Sequence, residues 1–443
     1  IIKKNVVNLM ETKTILIKDI TILNLDLGNV KEFQGSVLIE NDKIAKIGNN
    51  INESVDKVID GKGKILMPGL VNTHNHISMN LFRGLADDLE LNTWLNDHIW
   101  PMESHLNSNY CYIGALLAAV EMIKSGTTTF NDMYFYMGSV AQAIDKAGIR
   151  GVLSYGMIDF GDEEKREHEF KENIDLIKDF NNSANGRITC RFGPHSPVTC
   201  SKELLERVRE EANKYNVGIH IHMNETQKEI KDVVDSTGMR PFEYLNSLNF
   251  LSSDVLAAHC VWLSDNEIDI LKQKDVQVSH NPCSNMKLAS GIAPVSKLLN
   301  KGVNVSIGTD GVASNNNLDL FEEMKFASLL QKVNDLNPEV LPSNQVFNMA
   351  TINGAKALSL DKDIGSIEVG KKADLILLDK KSINMTPASK ISSSNLVYSA
   401  NGSDVLTTIC NGQILMEDKK ILCLNEDKVK SLANEAILEM KNL

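Results

Sequence analysis

Short apolar runs alternate with longer amphipathic stretches through most of this chain, and the texture changes at two places. From Met10 to about Lys64 the runs are brief and β-like, "TILIKDITIL" and "GSVLIENDKIAKIG", broken by Gly, Asn and Asp. From Ile65 to about Leu360, eight β-rich runs alternate with helix-like segments: "ILMPGLVNTH", "TTTFNDMY", "IRGVLSYGMI", "ITCRFGPHS", "VGIHIHMNE", "VLAAHCV", "VQVSHNP" and "VNVSIGTDG". Strand and helix alternating eight times is the rhythm of a parallel (β/α)8 barrel. Beyond Asp363 the β texture returns in "GSIEVGKKADLILLD" and "VLTTICNGQILM", where Asn411-Gly412 signals a hairpin, and the tail from Glu426 has a helical pattern. The expected class is therefore α/β. A (β/α)8 TIM-like barrel over 65–360 stands beside a small β-sandwich built from 10–64 and 361–425, with a C-terminal helix over 426–443.

Length fits that division, since 443 residues suffice for one large barrel and a smaller unit. Hydrophobic residues at 42% and charged ones at 23% are ordinary for a globular chain. Acidic residues outnumber basic ones 58 to 46, a net charge of −12, and no basic block could track a phosphate backbone. Nucleic acid is excluded as an expected partner. The longest nearly apolar run, "IGALLAAV" (Ile113 to Val120), is far short of the roughly 20 residues of a membrane span. No signal-peptide pattern marks the start, so the expected location is cytoplasmic, and residues 1–9, which precede Met10, are expected to take no part in the fold. Seven scattered cysteines contain no C-x-x-C pair, which argues against a disulfide framework, a cysteine zinc site and the H-x-E/P-C-x-x-C deaminases.

Candidate chemistry sits at the ends of the runs, where barrel active sites are built. Run one ends in His74 and His76, run four in His195, and run five in His220, His222 and Glu225. Run six ends in His259, run seven in His280 and run eight in Asp310. Residues two apart in a strand share a face, so His74 and His76 reach one point. Any one of these histidines taken alone is more simply a satisfied interior residue. Several imidazoles and a carboxylate converging on one mouth are costly to bury unpaired, whereas a divalent cation makes the cluster favourable. Such a cation lowers the pKa of a bound water to about 7, and zinc suits these ligands, with iron or manganese also tolerated.

The ordered motifs "PGLVNTHNH", "HMNET", "AAHCV", "SHNPCSNMKL" and "GTDGVASNN" resemble the amidohydrolase superfamily. With "RGLADDLELNTWLNDHIWPME", "FGPHSPVTCS" and "GSIEVGKKADLILLD", they are similar to its branch of 5-methylthioadenosine/S-adenosylhomocysteine deaminases. The resemblance implies one divalent metal on His74, His76, His222 and Asp310, the strand-five ligand being the histidine three before the glutamate; His220 is then barrel filler or a support behind the ligands. It implies attack of water on the amino-bearing purine carbon, Glu225 protonating the ring nitrogen, Asp310 taking the water proton and His259 polarising the water. The plain alternative for Glu225 is a carboxylate capping the next helix. By resemblance Glu103 accepts the ribose hydroxyls, His195 binds the nucleoside, Trp94 forms a wall and Ser314 lies near the purine. Arginines expected near the third strand end are replaced by Tyr155 and an acidic stretch whose basic groups include Arg166, the one candidate for a homocysteine carboxylate. The expected substrate is methylthioadenosine or adenosine ahead of S-adenosylhomocysteine. A guanine, pterin or triazine ring is the same-fold alternative, and a non-catalytic scaffold is the alternative of another class. Relatives that form dimers or tetramers leave a homo-oligomer open.

Overall fold

The computed structural model describes residues 13–26, 29–89, 93–388 and 390–442. The stretch 1–9, expected to stand apart from the fold, lies outside the described residues, as do 10–12 at the start of the expected sandwich. Eight parallel strands form a TIM-type barrel: Leu70–Asn75, Thr127–Tyr134, Arg150–Met157, Ile188–Cys190 continued by Gly193–Pro194, Ile219–Met223, Val255–His259, Gln277–His280 and Val305–Ile307. Neighbours pair in parallel register around the ring, the fourth and fifth strands through a bridge between Phe192 and Ile219. Asp310 N donates to His74 O (3.0 Å), closing eighth strand onto first. The barrel strands are buried on both faces, which is why they appear in the sequence as nearly continuous apolar runs.

Helices follow the strands and start on side-chain caps. Asn107, Ser201, Thr226 and Ser264 each accept a backbone N–H at the first turn of Ser108–Ser125, Lys202–Tyr215, Gln227–Thr237 and Asp265–Gln273. Among the described residues no helix is long and apolar enough to cross a membrane.

A nine-stranded sheet joins the two ends of the chain. Lys64–Pro68, whose residues from Ile65 on were expected to begin the first barrel strand, pairs instead with Thr14–Asp26 and Leu375–Asp379. The chain crosses into the barrel at Gly69, where a Cβ would lie 2.2 Å from Thr128 Oγ1. Ile15, Ile17, Ile22, Val37, Leu375 and Ile409 belong to this sheet's own apolar core. Val405–Cys410 and Gln413–Glu417 form the expected hairpin, with Asn411 at φ 51° and Gly412 at φ 74° as a two-residue turn requires. The terminal helix Glu426–Met440 lies against Ser108–Ser125 through Lys124–Glu426 and Tyr110–Glu439 hydrogen bonds.

Candidate metal centre and active site

Strand ends one, five and eight deliver four side chains to one point. His76 Nδ1 donates to Met133 O (2.6 Å) and His222 Nδ1 to His195 O (2.8 Å). A carbonyl only accepts, so each neutral ring carries its proton on Nδ1 and turns a lone pair on Nε2 inward. Those two Nε2 atoms face each other at 3.3 Å. Asp310 Oδ1 lies 3.2 Å from His76 Nε2 and 3.3 Å from His74 Nε2. His74 is fully buried, and its Nε2 has no hydrogen-bond partner. Lone pairs and a carboxylate oxygen converging in a dry cavity repel one another unless a cation sits among them. Imidazole and carboxylate donors suit a divalent ion: the donor atoms of His74, His76 and Asp310 lie close enough to hold one, as do those of His74, His222 and His259.

Several contacts fix this donor set from behind. His74 Nδ1 is 2.8 Å from His220 Nε2, and Asn131 Nδ2 reaches His220 Nδ1 (3.0 Å). His220 is thus a support behind His74 rather than mere filler. Ser284 Oγ (2.7 Å) and Ser314 Oγ (2.9 Å) donate to Asp310 Oδ2, leaving Oδ1 for the histidines.

Beside the donors stand His259 and Glu225. His259 Nδ1 donates to Asn285 Oδ1 (2.9 Å), which turns Nε2 toward Glu225 Oε2 at 3.9 Å. Glu225 Oε1 accepts from Ser290 Oγ (3.0 Å), and its backbone N donates to Glu229 (2.7 Å). His259 (φ 73°), Asp310 (φ 63°) and Asn224 (φ 53°) all occupy the left-handed region, a strained backbone that side chains other than glycine adopt only where surroundings enforce it. They end strands six, eight and five: His259 and Asp310 turn into the mouth, while Asn224 directs its amide to Glu267 and Trp262 O.

The remaining expected residues divide. His195 joins the cluster, its ring 4.8 Å from His222 and its Nδ1 2.9 Å from Thr199 Oγ1; burial brings its pKa down to about 4. Glu103 accepts from Tyr134 Oη (2.5 Å), and the Tyr134 ring is 6.1 Å from His76, so that carboxylate lies one side chain away from the donors. Burial raises the Glu103 pKa, against the Tyr134 hydrogen bond. Ser314, expected near the purine, directs its hydroxyl at Asp310. Trp94 is buried in the segment after strand one, its Nε1 donating to Ala86 O (3.1 Å). Arg166 pairs with the fully buried Asp159 (3.2 Å) and with Ser201, so its charge is already matched inside the protein. His280 is buried with neither ring nitrogen hydrogen-bonded to the protein.

Sequence reasoning gave no role to Ser284, Asn285, Ser290, Tyr134 or Glu229. The first two lie inside the quoted "SHNPCSNMKL", whose polar residues right after a strand end were the available signal. Ser290 and Glu229 carry none that separates them from surface residues.

A model of the amidohydrolase family matches residues 65–415. A 5'-deoxyadenosine deaminase of Methanobrevibacter smithii is 64% identical, over 98% of this chain and 99% of its own. Among solved structures, an adenosine deaminase from Xanthomonas campestris with bound zinc superposes at a TM-score of 0.91 with 31% identity, over 97% of this chain and 99% of that one. An atrazine chlorohydrolase from Arthrobacter aurescens complexed with zinc gives a TM-score of 0.89 at 23% identity, over 96% of this chain and 100% of that one, a likeness of fold alone. With that match over most of its length and with these relatives, the chain belongs to the amidohydrolase family.

Proposed function

We propose that this protein hydrolyses the exocyclic C–N bond of the adenine ring in a 5′-modified adenosine, with 5′-deoxyadenosine first, giving the inosine analogue and ammonia. The observation that carries the reading is the convergence of His74, His76, His222 and Asp310 beside Glu225 and His259. The 64% identity to a protein named 5'-deoxyadenosine deaminase supports the substrate class. His74, His76, His222 and Asp310 would hold a divalent ion, zinc first, and such an ion, when bound, would lower the pKa of a water to near neutral.

The chain's own groups do the proton work. Asp310 takes a proton from the attacking water, while His259, oriented by Asn285, accepts a hydrogen bond from it. Glu225 in its protonated form gives a proton to the ring nitrogen next to the attacked carbon. Glu225, now a carboxylate, takes the remaining proton of the added hydroxyl and passes it to the amino group, which departs as ammonia as the ring carbonyl forms; the proton held by Asp310 returns Glu225 to its acid form. Glu103 receives the ribose hydroxyls as charge-assisted hydrogen bonds, and His195 contacts the nucleoside. Trp94 contributes shape to the segment carrying Glu103. Because Arg166 is paired with Asp159, no free guanidinium there awaits a homocysteine carboxylate. S-Adenosylhomocysteine is therefore expected to be turned over less efficiently than 5′-deoxyadenosine or methylthioadenosine.

The test is ammonia release by zinc-loaded protein from 5′-deoxyadenosine, methylthioadenosine, S-adenosylhomocysteine, adenosine and guanine in parallel. The expected order puts 5′-deoxyadenosine and methylthioadenosine ahead of S-adenosylhomocysteine, whose amino-acid end is charged. Silence on every adenosine, or activity on guanine alone, would overturn the reading.

A further inference from the structure

Helix Leu320–Asn334 begins one loop beyond Asp310 and carries Glu323, a fully buried carboxylate that the reaction above does not use. Its oxygens accept from Cys283 N (3.1 Å) and from Asn315 Nδ2. Those donors belong to different loops. Cys283 lies in the short helix Pro282–Lys287 after the seventh strand, and Asn315 closes Val312–Asn315 after the eighth.

The same two short helices carry the groups that hold the site. Ser284, beside Cys283, and Ser314, beside Asn315, both donate to Asp310 Oδ2. Asn315 Nδ2 also donates to Thr309 O (2.7 Å), on the residue before Asp310. Asn285, which orients His259, follows Ser284 directly. We infer that Glu323 is a positioning residue: it clamps the loops after strands seven and eight together, so that Ser284 and Ser314 grip Asp310 Oδ2 and leave Oδ1 aimed at His74 and His76.

A carboxyl group suits this position because it offers one oxygen to each of two donors from two loops. An amide offers one acceptor and one donor, so one of the two contacts becomes donor against donor. The inference rests on the metal-dependent reading of the site. A purely structural Glu323, which only anchors its helix, makes a different prediction, because it leaves the donor geometry alone.

The experiment measures zinc affinity by competition with a chromophoric chelator, beside kcat and KM for 5′-deoxyadenosine, in the full chain and its Glu323→Gln variant. Zinc affinity is expected to weaken about tenfold or more, with kcat falling and KM nearly unchanged, as for other residues that support metal ligands. Combined with Ser284→Ala and Ser314→Ala, the Glu323→Gln change should weaken zinc little further, since residues acting through one contact are not additive. A variant that melts earlier yet binds zinc as the parent does would overturn the inference, as would fully multiplicative effects. Should Glu323→Gln fail to fold, Asn315→Ala cuts one arm of the clamp and faces the same zinc measurement with the same expectation. If the parent binds zinc but releases no ammonia, the proposed reaction fails while the zinc comparison still judges the clamp.

Discussion

Glu225 is held at two places: Ser290 Oγ donates to its side chain and Glu229 accepts its backbone N–H. Such fixing suits the role proposed for it, in which it meets a ring nitrogen and then an amino group without moving far. Glu225→Gln keeps the shape and the Ser290 contact while removing the transferable proton. Steady-state assays are expected to show kcat lower by about 10²–10⁴-fold, with zinc affinity close to the parent's; an unchanged kcat would move the proton to another residue. At this scale strand ends bring out nine candidates, and the resemblance of the motifs to the amidohydrolase superfamily narrows them to His74, His76, His222 and Asp310. Partners are another matter. Ser284 meets Asp310 across 26 positions and His220 meets His74 across 146, and nothing local encodes either meeting. Arg166 shows the same limit: its acidic surroundings look like a solvated helix face, yet the partner is Asp159, buried seven positions earlier.

Between strand ends and helices a recurring device appears, in which a buried or half-buried glutamate on a helix accepts backbone N–H groups of the loop before it. Glu169 takes Ile158 N (3.3 Å), Glu229 takes Asn224 N and Glu225 N, and Glu267 takes Ser264 N (2.9 Å) and Asn224 Nδ2 (3.0 Å). Burial pushes Glu169 and Glu229 up to about 7, far above a free carboxyl. A raised folded pKa means that the native state binds more protons than the unfolded one between roughly pH 4.5 and 7, so stability falls as pH rises through that window. Glu169 stands on the helix after strand three, away from the metal ligands, and Glu169→Gln keeps an acceptor for Ile158 N. Its melting temperature should fall less than the parent's between about pH 5 and 8, by about 2 °C; parallel curves would show that Glu169 titrates normally. The elements themselves were legible because buried parallel strands form continuous apolar runs. Two runs hid a division, "ILMPGLVNTH" at Gly69 and "ITCRFGPHS" between Cys190 and Gly193, since neither Gly nor a buried Arg191 announces whether the chain continues or changes sheet. The short turns of helix Ile77–Phe82 and Trp94–Ile99, which carry the chain toward Glu103, have no periodic pattern long enough to detect.

At the scale of the whole molecule, one buried ion pair joins the barrel to the terminal sheet. Arg150, at the start of the third barrel strand, meets Asp374 through Nε–Oδ2 (2.9 Å) and Nη2–Oδ1 (3.1 Å), and both side chains are almost wholly buried. Asp374 also accepts from Asn411 N (2.7 Å) at the hairpin turn, and its carbonyl takes Gly69 N (2.9 Å) where the chain enters the barrel. A single residue thus ties together three segments drawn from both ends of the sequence, which explains why a sheet built from the two termini stays in register with the barrel. Asp374→Asn leaves the guanidinium buried without its counter-charge, a loss of about 3–5 kcal/mol for such pairs. The melting temperature should drop by several degrees, and Arg150→Met added to it should restore part of the loss, since the pair's desolvation cost vanishes together with its attraction. Arg150 begins its strand, whereas the donors cluster at the opposite, C-terminal end of the barrel. Turnover per folded molecule at 25 °C is therefore expected to match the parent's. A fall in kcat with the melting temperature intact would mean that the terminal sheet shapes the active-site mouth, and the separation of framework from chemistry along the barrel axis would have to be given up.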